Sequence, residues 1–503
     1  MTGRAATMTV VAMGLGYSTA AADPTIFSAN LAQVRKGLEI TAGTASFLAC
    51  LCTLTLAAAV LGAGALGDLH GMKKMFTAGV YGSIVFGLLG AAAPHVSVLI
   101  IARAGLGVAF AFVLGLSLAI INAVFAPGRR AAAIAAYLGA GYALAVFQPA
   151  LGGWLAAHVG WRASFLVTPA LAVLTLVITW RYVPETVKDR RRLDVLGIVL
   201  IAAALVTVIY GLTRLQGGHN PAAVGLIALG IGLGVAFVRW ELRTDTPALD
   251  MRIFRSGRFN AALIAGATFT FLGGGSTLLF AYYLVTIRGK GPELLGLLFI
   301  PAMLAAAAAA IAAGRAVLRF GERAVLIAGL TVLLVGMLLL SVLDQNTPIA
   351  VLGLAVALNA IGGAVVQTPQ STILMSSAPP ELGGVVSAVK PAVGQAAYSL
   401  GPALFALVGT TLFLRDGRAK LQESGISAEG AREALRVAQG GAPNSAGGSE
   451  VLDPEQARWV VSEAADSWLR AIGDVSLIMA VVPAIAIVVA WVLLRPNPSP
   501  AQT

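Results

Sequence analysis

The chain has 503 residues, of which 58% are hydrophobic and only 11% charged. Soluble globular domains carry roughly 25% charged residues, so the composition describes a polytopic membrane protein and excludes an ordinary soluble enzyme. The net charge of +11 does not imply nucleic acid, because the cations are confined to short segments between apolar runs: Lys73 and Lys74, Arg129 and Arg130, Lys188 to Arg192, Arg239 to Arg258, and Arg315 to Arg323. That is the positive-inside distribution of a membrane protein.

Fourteen segments are apolar over the ~20 residues a helix needs to cross a bilayer: 8–29, 44–67, 75–94, 96–125, 132–156, 163–183, 194–214, 221–240, 259–287, 293–316, 324–343, 348–375, 383–413 and 472–494. The predicted fold is an all-α bundle. An even number of spans puts both termini on one side, and the basic loops then fall together in the cytoplasm. Residues 186–193 read as a basic linker, 240–258 as a charged cytoplasmic loop, and 415–470 as a long external loop. Around its Gly/Ser-rich tip, 428–439 and 454–468 are amphipathic. Arg4 and Ala20–Ala22 have the outline of a signal peptide, but the apolar run continues past them, so an uncleaved first helix is expected.

The first span contains Asp23 and the fourth contains Arg103. A charge in hydrocarbon costs several kcal/mol unless paired or wetted, and its presence points to a functional pathway. At 1.5 Å per residue Asp23 lies roughly 9 Å, and Arg103 roughly 10 Å, inside the outer ends of their helices. The two are therefore level. Cys50 and Cys52, the only cysteines, are two apart on one helix and turn to different faces, against a disulfide. His70, His95, His158 and His219 are scattered, so no metal site and no cofactor is expected. No phosphate-binding loop, dinucleotide fingerprint or nucleophile triad occurs, so the chain is not read as an enzyme.

Gly64 and Gly71 bracket a basic turn after the second span, and Gly314 and Gly321 bracket another, both shifted by 250 positions. Such repetition is common among transporters built from repeated halves. In the second half, Asn359, Gly363, Gln367 and Gln370 share one helix face, and Ser387, Lys390, Gly394 and Tyr398 share another. Two readings stay open for Lys390. It lines a polar cavity suited to an anionic or zwitterionic substrate, or it snorkels to the cytoplasm or pairs with Glu381. Tyr17, Phe27, Phe147, Phe271, Tyr282 and Tyr398 fit bundle packing better than a drug-binding wall.

The segment Gly64-Ala65-Leu66-Gly67-Asp68-Leu69-His70-Gly71-Met72-Lys73-Lys74 resembles the loop between helices 2 and 3 of the major facilitator superfamily, with Leu69 at a usually basic position. Asp23-Pro24-Thr25-Ile26 is similar to helix 1 of the fourteen-helix drug:proton antiporters. Arg103-Ala104-Gly105-Leu106-Gly107 resembles their helix-4 motif. Gln148-Pro149-Ala150-Leu151-Gly152-Gly153 resembles the helix-5 antiporter motif, with Gln148 where Gly is usual. Trp161-Arg162-Ala163-Ser164-Phe165 resembles the opening of helix 6, and Asp194 with Gly197 the start of two extra central helices.

The resemblance implies two six-helix halves, 1–185 and 259–503, with two extra helices and a cytoplasmic loop in 186–258. It implies a conformational latch at Gly64, Asp68, Gly71, Lys73 and Lys74, and an antiporter motif at Gln148, Pro149, Gly152 and Gly153. Proton exchange with substrate is expected at Asp23, modulated by Arg103. Asn359, Gln367, Gln370, Lys390 and Tyr398 are the candidate substrate residues. The expected function is proton-driven export of a lipophilic drug or metabolite from a bacterial cytoplasmic membrane, by a monomer surrounded by lipid, with the loop at 415–470 available to an external partner. A lipid exporter or flippase and a non-transporting sensor or scaffold are the alternatives. Cation exporters of this branch often carry a carboxylate in helix 13, and none occurs between Gly383 and Leu414, which weighs against a dication as cargo.

Overall fold

A computed structural model describes residues 3–40, 42–185, 194–215, 220–244, 247, 249, 251–290, 293–377, 383–423, 435 and 463–494. Among these residues fourteen helical spans are long and apolar enough to cross a membrane, and there is no β-strand. Helix is the outcome lipid demands, since it offers peptide groups no partner and a helix satisfies them within one segment.

The first six spans are α1 (Gly3–Ala29), α3 (Ala42–His70), α4 (Met72–Ala91), α5 (Val96–Val124), α6 (Pro127–Ala145) continued by α7 (Gln148–His158), and α8 (Trp161–Ser164) continued by α9 (Val167–Tyr182). The short α2 (Leu31–Gly37) lies between α1 and α3 and packs on α3. Two extra spans follow, α10 (Val195–Leu215) and α11 (Pro221–Glu241). The second half comprises α12 (Gly257–Tyr282) with a π-helical end at Tyr283–Ile287, α13 (Glu293–Phe320), α14 (Glu322–Ser341), α15 (Ile349–Ser376), α16 (Gly383–Glu423), and α17 (Ala464–Met479) continued by α18 (Val481–Leu493). α1 runs unbroken through Ala20–Ala22.

In the first half α1 packs on α5, α6 and α9, while α4 packs on α5 and α9. In the second, α12 packs on α15 and α16, and α14 on α15, α17 and α18. The halves meet where α3 lies on α16 and α6 on α13. The extra pair is peripheral: α10 contacts α3 and α16, and α11 leans on α10. Large apolar side chains such as Val85, Ile101, Val177, Leu229, Ile311 and Val488 are exposed, the pattern of a surface meant for lipid.

Local chemistry sets the boundaries. Gly71 (φ +101°) and Gly321 (φ +82°) are the single residues between α3 and α4 and between α13 and α14. Any other residue would be strained at that φ, so the repeated glycine turn recurs as one geometry in both halves. The Asn220 side chain accepts from Ala222 N ahead of Pro221, an N-cap followed by the residue suited to a first turn. Asp194 caps α10 by accepting from Gly197 N at 2.9 Å, and Trp240 Nε1 of α11 donates to the same carboxylate at 2.9 Å. Glu241 is also buried and accepts from Leu249 N at 3.0 Å, which anchors the segment leading to a 3₁₀ turn at Met251–Arg255.

Two sequence boundaries move. The loop expected over 415–470 is shorter, because α16 has 41 residues and is therefore about 60 Å long. Its charged end runs on to Glu423, and α17 begins at Ala464. Lys420 with Glu463 (3.5 Å) and Arg470 with Asp416 (3.3 Å) tie these ends together. Ion pairing thus compensates the polar residues that made the segment read as loop. Most of the two amphipathic stretches expected there, and the partner assigned to that loop, lie outside the described residues. The other difference is the short α2, which lies in the connection between the first two apolar runs and buries Val34 fully.

Candidate functional site

Asp23 of α1 and Arg103 of α5 form a direct ion pair, with Arg103 Nη1 donating to Asp23 Oδ1 at 2.5 Å. Arg103 is 1% exposed and Asp23 5%. The other carboxylate oxygen, Oδ2, accepts from Thr168 Oγ1 of α9 at 2.9 Å. Three helices therefore converge on one carboxylate. The Phe27 ring lies against the guanidinium, 4.3 Å from Cζ to the ring centre, and is braced edge-on by Phe165. Arg103 Nε and Nη2 are buried without a hydrogen-bond partner among the described residues. One turn along α5, Gly107 allows α3 to approach so closely that a Cβ would overlap Thr55 Oγ1 and the Cys52 carbonyl.

A central cavity of about 280 Å³ lies between the halves. Asn359, Gln367, Gln370, Lys390 and Tyr398 all line it. Lys390 Nζ donates to Ser371 Oγ at 2.6 Å, which places its ammonium beside α15. Glu381, the alternative partner, lies outside the described residues. Gln367 Nε2 donates to Tyr142 Oη across the halves at 2.8 Å. Tyr17, Tyr137 and Tyr142 form an edge-on aromatic group on the facing wall. Ser399 Oγ donates to Thr53 Oγ1 at 2.9 Å, a further link between α16 and the first half. Of the six aromatics singled out in the sequence, Tyr17 and Tyr398 line the cavity. Phe27 covers Arg103, Phe271 packs on Phe405, Tyr282 stacks on Trp468, and Phe147 is exposed.

Asp23 and Arg103 do not line the cavity. Ala21, Pro24 and Thr25 of α1 do, so the ion pair sits behind the wall that α1 presents to the cavity.

The latch residues surround the Gly71 turn. Asp68 is in the last turn of α3, half-buried. Lys73 pairs with Glu185, just past α9, at 3.5 Å. Within the segment Gly67 makes a close helix contact, where a Cβ would overlap Leu116 of α5. In the antiporter motif the helix breaks between α6 and α7. Gln148 is buried and donates to the Leu144 carbonyl at 3.0 Å, and Pro149 occupies the first turn of α7. Gly152 abuts Ile26, and its carbonyl accepts from Asn30 Nδ2 at 3.4 Å, while Gly153 faces open space. Sequence reasoning did not single out Thr168, Tyr142, Ser371 or Thr53. The only signal was a hydroxyl or amide within an apolar run.

Two helical halves around a central cavity, in a bundle of fourteen spans, define a multi-pass membrane transporter. The chain belongs to the Major Facilitator Superfamily, whose profile matches residues 13–402. It is similar to the multidrug resistance protein Stp of Mycobacterium tuberculosis (strain CDC 1551 / Oshkosh), with 29% identity over 80% of this chain and 75% of that one. The multidrug efflux pump LfrA of Mycolicibacterium smegmatis is 29% identical over 78% of this chain and 76% of its own. The methyl viologen resistance protein SmvA of Salmonella typhimurium (strain LT2) is 27% identical over 94% and 97%. In fold, the chain resembles the inward-facing, unoccupied structure of a bacterial homologue of the human lysosomal transporter Spinster, with a TM-score of 0.63, 15% identity, and coverage of 99% of this chain and 100% of that one. The relatives are transporters, not enzymes.

Proposed function

We propose that the protein is a proton-coupled exporter of lipophilic small molecules that works by alternating access in a bacterial cytoplasmic membrane, with both termini in the cytoplasm. A multidrug efflux pump and a multidrug resistance protein among its relatives support the substrate class. The observation that carries the coupling is the buried Asp23–Arg103 pair packed behind a cavity-lining helix.

The physical logic concerns charge balance. While Asp23 is ionised, its charge and that of Arg103 cancel inside a site that excludes water. A proton on Asp23 removes one partner and leaves a buried guanidinium uncompensated, a change of several kcal/mol in favour of any rearrangement that satisfies it. The two unpartnered nitrogens of Arg103 are donors available for such a rearrangement. Because Ala21, Pro24 and Thr25 flank Asp23 and face the cavity, movement of α1 transmits the proton's arrival to bound substrate. Coupling is then indirect, through the helix, rather than by competition of proton and substrate for one carboxylate. The repeated Gly71 and Gly321 turns, with Asp68 and Lys73 beside the first, serve as hinge and latch for the rocking halves.

The test is proton movement in proteoliposomes holding a preset pH gradient, on addition of candidate lipophilic compounds. A transported compound dissipates the gradient in the parent protein and does not in Asp23→Asn. Full gradient-driven transport by Asp23→Asn would remove Asp23 from the mechanism.

A further inference from the structure

The charge inventory of the cavity is one-sided. Among the described residues that line it, Lys390 carries the only formal charge. Its ammonium uses one hydrogen bond, to Ser371, and an ammonium has three donors. Asp23, a buried carboxylate on the other side of the α1 wall, is already engaged by Arg103 and Thr168. Among the described lining residues a cation therefore meets a like charge and no carboxylate, whereas an anion meets a preformed counter-ion in a low-dielectric space.

The rest of the lining is mixed, with polar and apolar side chains. Gln370 and Lys390 are polar lining residues, and Phe280, Phe299, Met303 and Val356 supply apolar surface. Asn359, on the same helix as Gln370 and about 16 Å away along its axis, has its Oδ1 buried without a donor among the described residues. Few polar groups in a mainly apolar cavity is the usual form of a small-molecule site.

We propose that the cavity selects amphipathic monoanions. A carboxylate or equivalent headgroup docks on Lys390, the apolar body lies along the aromatic wall, and a hydroxyl or N–H at the far end meets Asn359. Lipophilic cations are poor ligands. This deepens the transport reading and rests on it for the direction of movement. For one-for-one exchange it has an electrical consequence. Anion out against proton in moves two positive charges inward per cycle, so an inside-negative potential drives it as well as the pH gradient. Exchange of a monocation for a proton would be electroneutral.

Equilibrium binding in nanodiscs, with no gradient, tests the charge preference independently of Asp23. The probes are pyrenebutyric acid, pyrenebutanol and a pyrenebutyl trimethylammonium salt, which share a body and differ in head charge. The acid is expected to bind at least tenfold more tightly than the alcohol, and the ammonium more weakly than the alcohol. Lys390→Gln should abolish the preference for the acid over the alcohol, and Lys390→Arg should keep it. The proposal is overturned if the ammonium binds as tightly as the acid, if Lys390→Gln leaves the preference intact, or if the acid does not bind the folded parent. Loss of pH-driven flux in Asp23→Asn with the anion preference intact bears on coupling alone. Loss of the preference with coupling intact bears on Lys390 alone. In liposomes, flux of the acid should rise with a valinomycin-clamped negative potential, and potential-independent flux would count against the charge assignment.

Discussion

Asp23 holds two helices at once, Arg103 of α5 through one carboxylate oxygen and Thr168 of α9 through the other. Asparagine at 23 keeps an acceptor for one of them and removes titration, so Asp23→Asn is expected to remain folded while losing pH-driven flux at least tenfold. Asp23→Ala is different. It removes the accepting oxygen as well as the charge, so the fully buried guanidinium loses both its counter-ion and its hydrogen bond, a loss on the order of 3–5 kcal/mol that should appear as a lowered thermal unfolding midpoint. Adding Arg103→Met to Asp23→Ala should recover most of that stability and none of the coupling. A double variant as unstable as Asp23→Ala alone would show that the instability does not come from the orphaned charge. At this scale the pairing of Asp23 with Arg103 was legible, because helical rise places both at one depth and an unpaired charge in lipid is costly. Thr168 was not, since threonines satisfy their own hydroxyls by bonding back to the helix and occur freely in apolar spans.

Helices close together are sensitive to single methyl groups. Gly107→Ala would force α3 and α5 apart at a backbone carbonyl, and overpacking of this kind costs about 1–3 kcal/mol. Gly153→Ala, in open space on α7, should be neutral or slightly stabilising by helix propensity. Comparing the two by thermal unfolding checks that the contact, not glycine content, is what matters.

The turn between α14 and α15 is predicted to respond to acid. Thr347 Oγ1 and Asn346 N donate to Asp344 Oδ1 at 2.9 and 2.7 Å, and these bonds, with Arg288 nearby, hold the Asp344 carboxyl below its usual value. A depressed carboxylate contributes stability above its unfolded pKa of about 3.9 and loses it as pH falls through the lower folded value. Hydrogen exchange at 344–347 should therefore gain no opening between pH 8 and 5, once corrected for intrinsic rates, and increase on acidification below about 4. Asp344→Asn should be faster throughout and insensitive to that range.

Across the whole molecule, few polar links join the halves among the described residues. Gln367 with Tyr142 and Ser399 with Thr53 cross between them, each worth about 1 kcal/mol by the usual net value of a hydrogen bond. Removing both, with Tyr142→Phe and Ser399→Ala, should shift the balance between conformations without unfolding either half. Spin labels replacing the exposed Arg129 and Arg319 would report the change as an altered inter-half distance distribution. An unchanged distribution would mean that the remaining contacts, those of α3 with α16 and of α6 with α13, set the balance.

Fourteen spans, the glycine turns at Gly71 and Gly321 and the depths of Asp23 and Arg103 were determined by the sequence alone. Each follows from a local rule: the length needed to cross lipid, the φ only glycine accepts easily, or a fixed rise per residue. The position of the ion pair behind the cavity wall, the Lys390–Ser371 contact and the convergence of Tyr17, Tyr142 and Gln367 were decided only by tertiary structure. These depend on how each helix is rotated about its axis and on which partner it meets. In a bundle whose faces are nearly all apolar, helical periodicity carries little information about that rotation, and small-residue packing between helices far apart in the chain sets it instead.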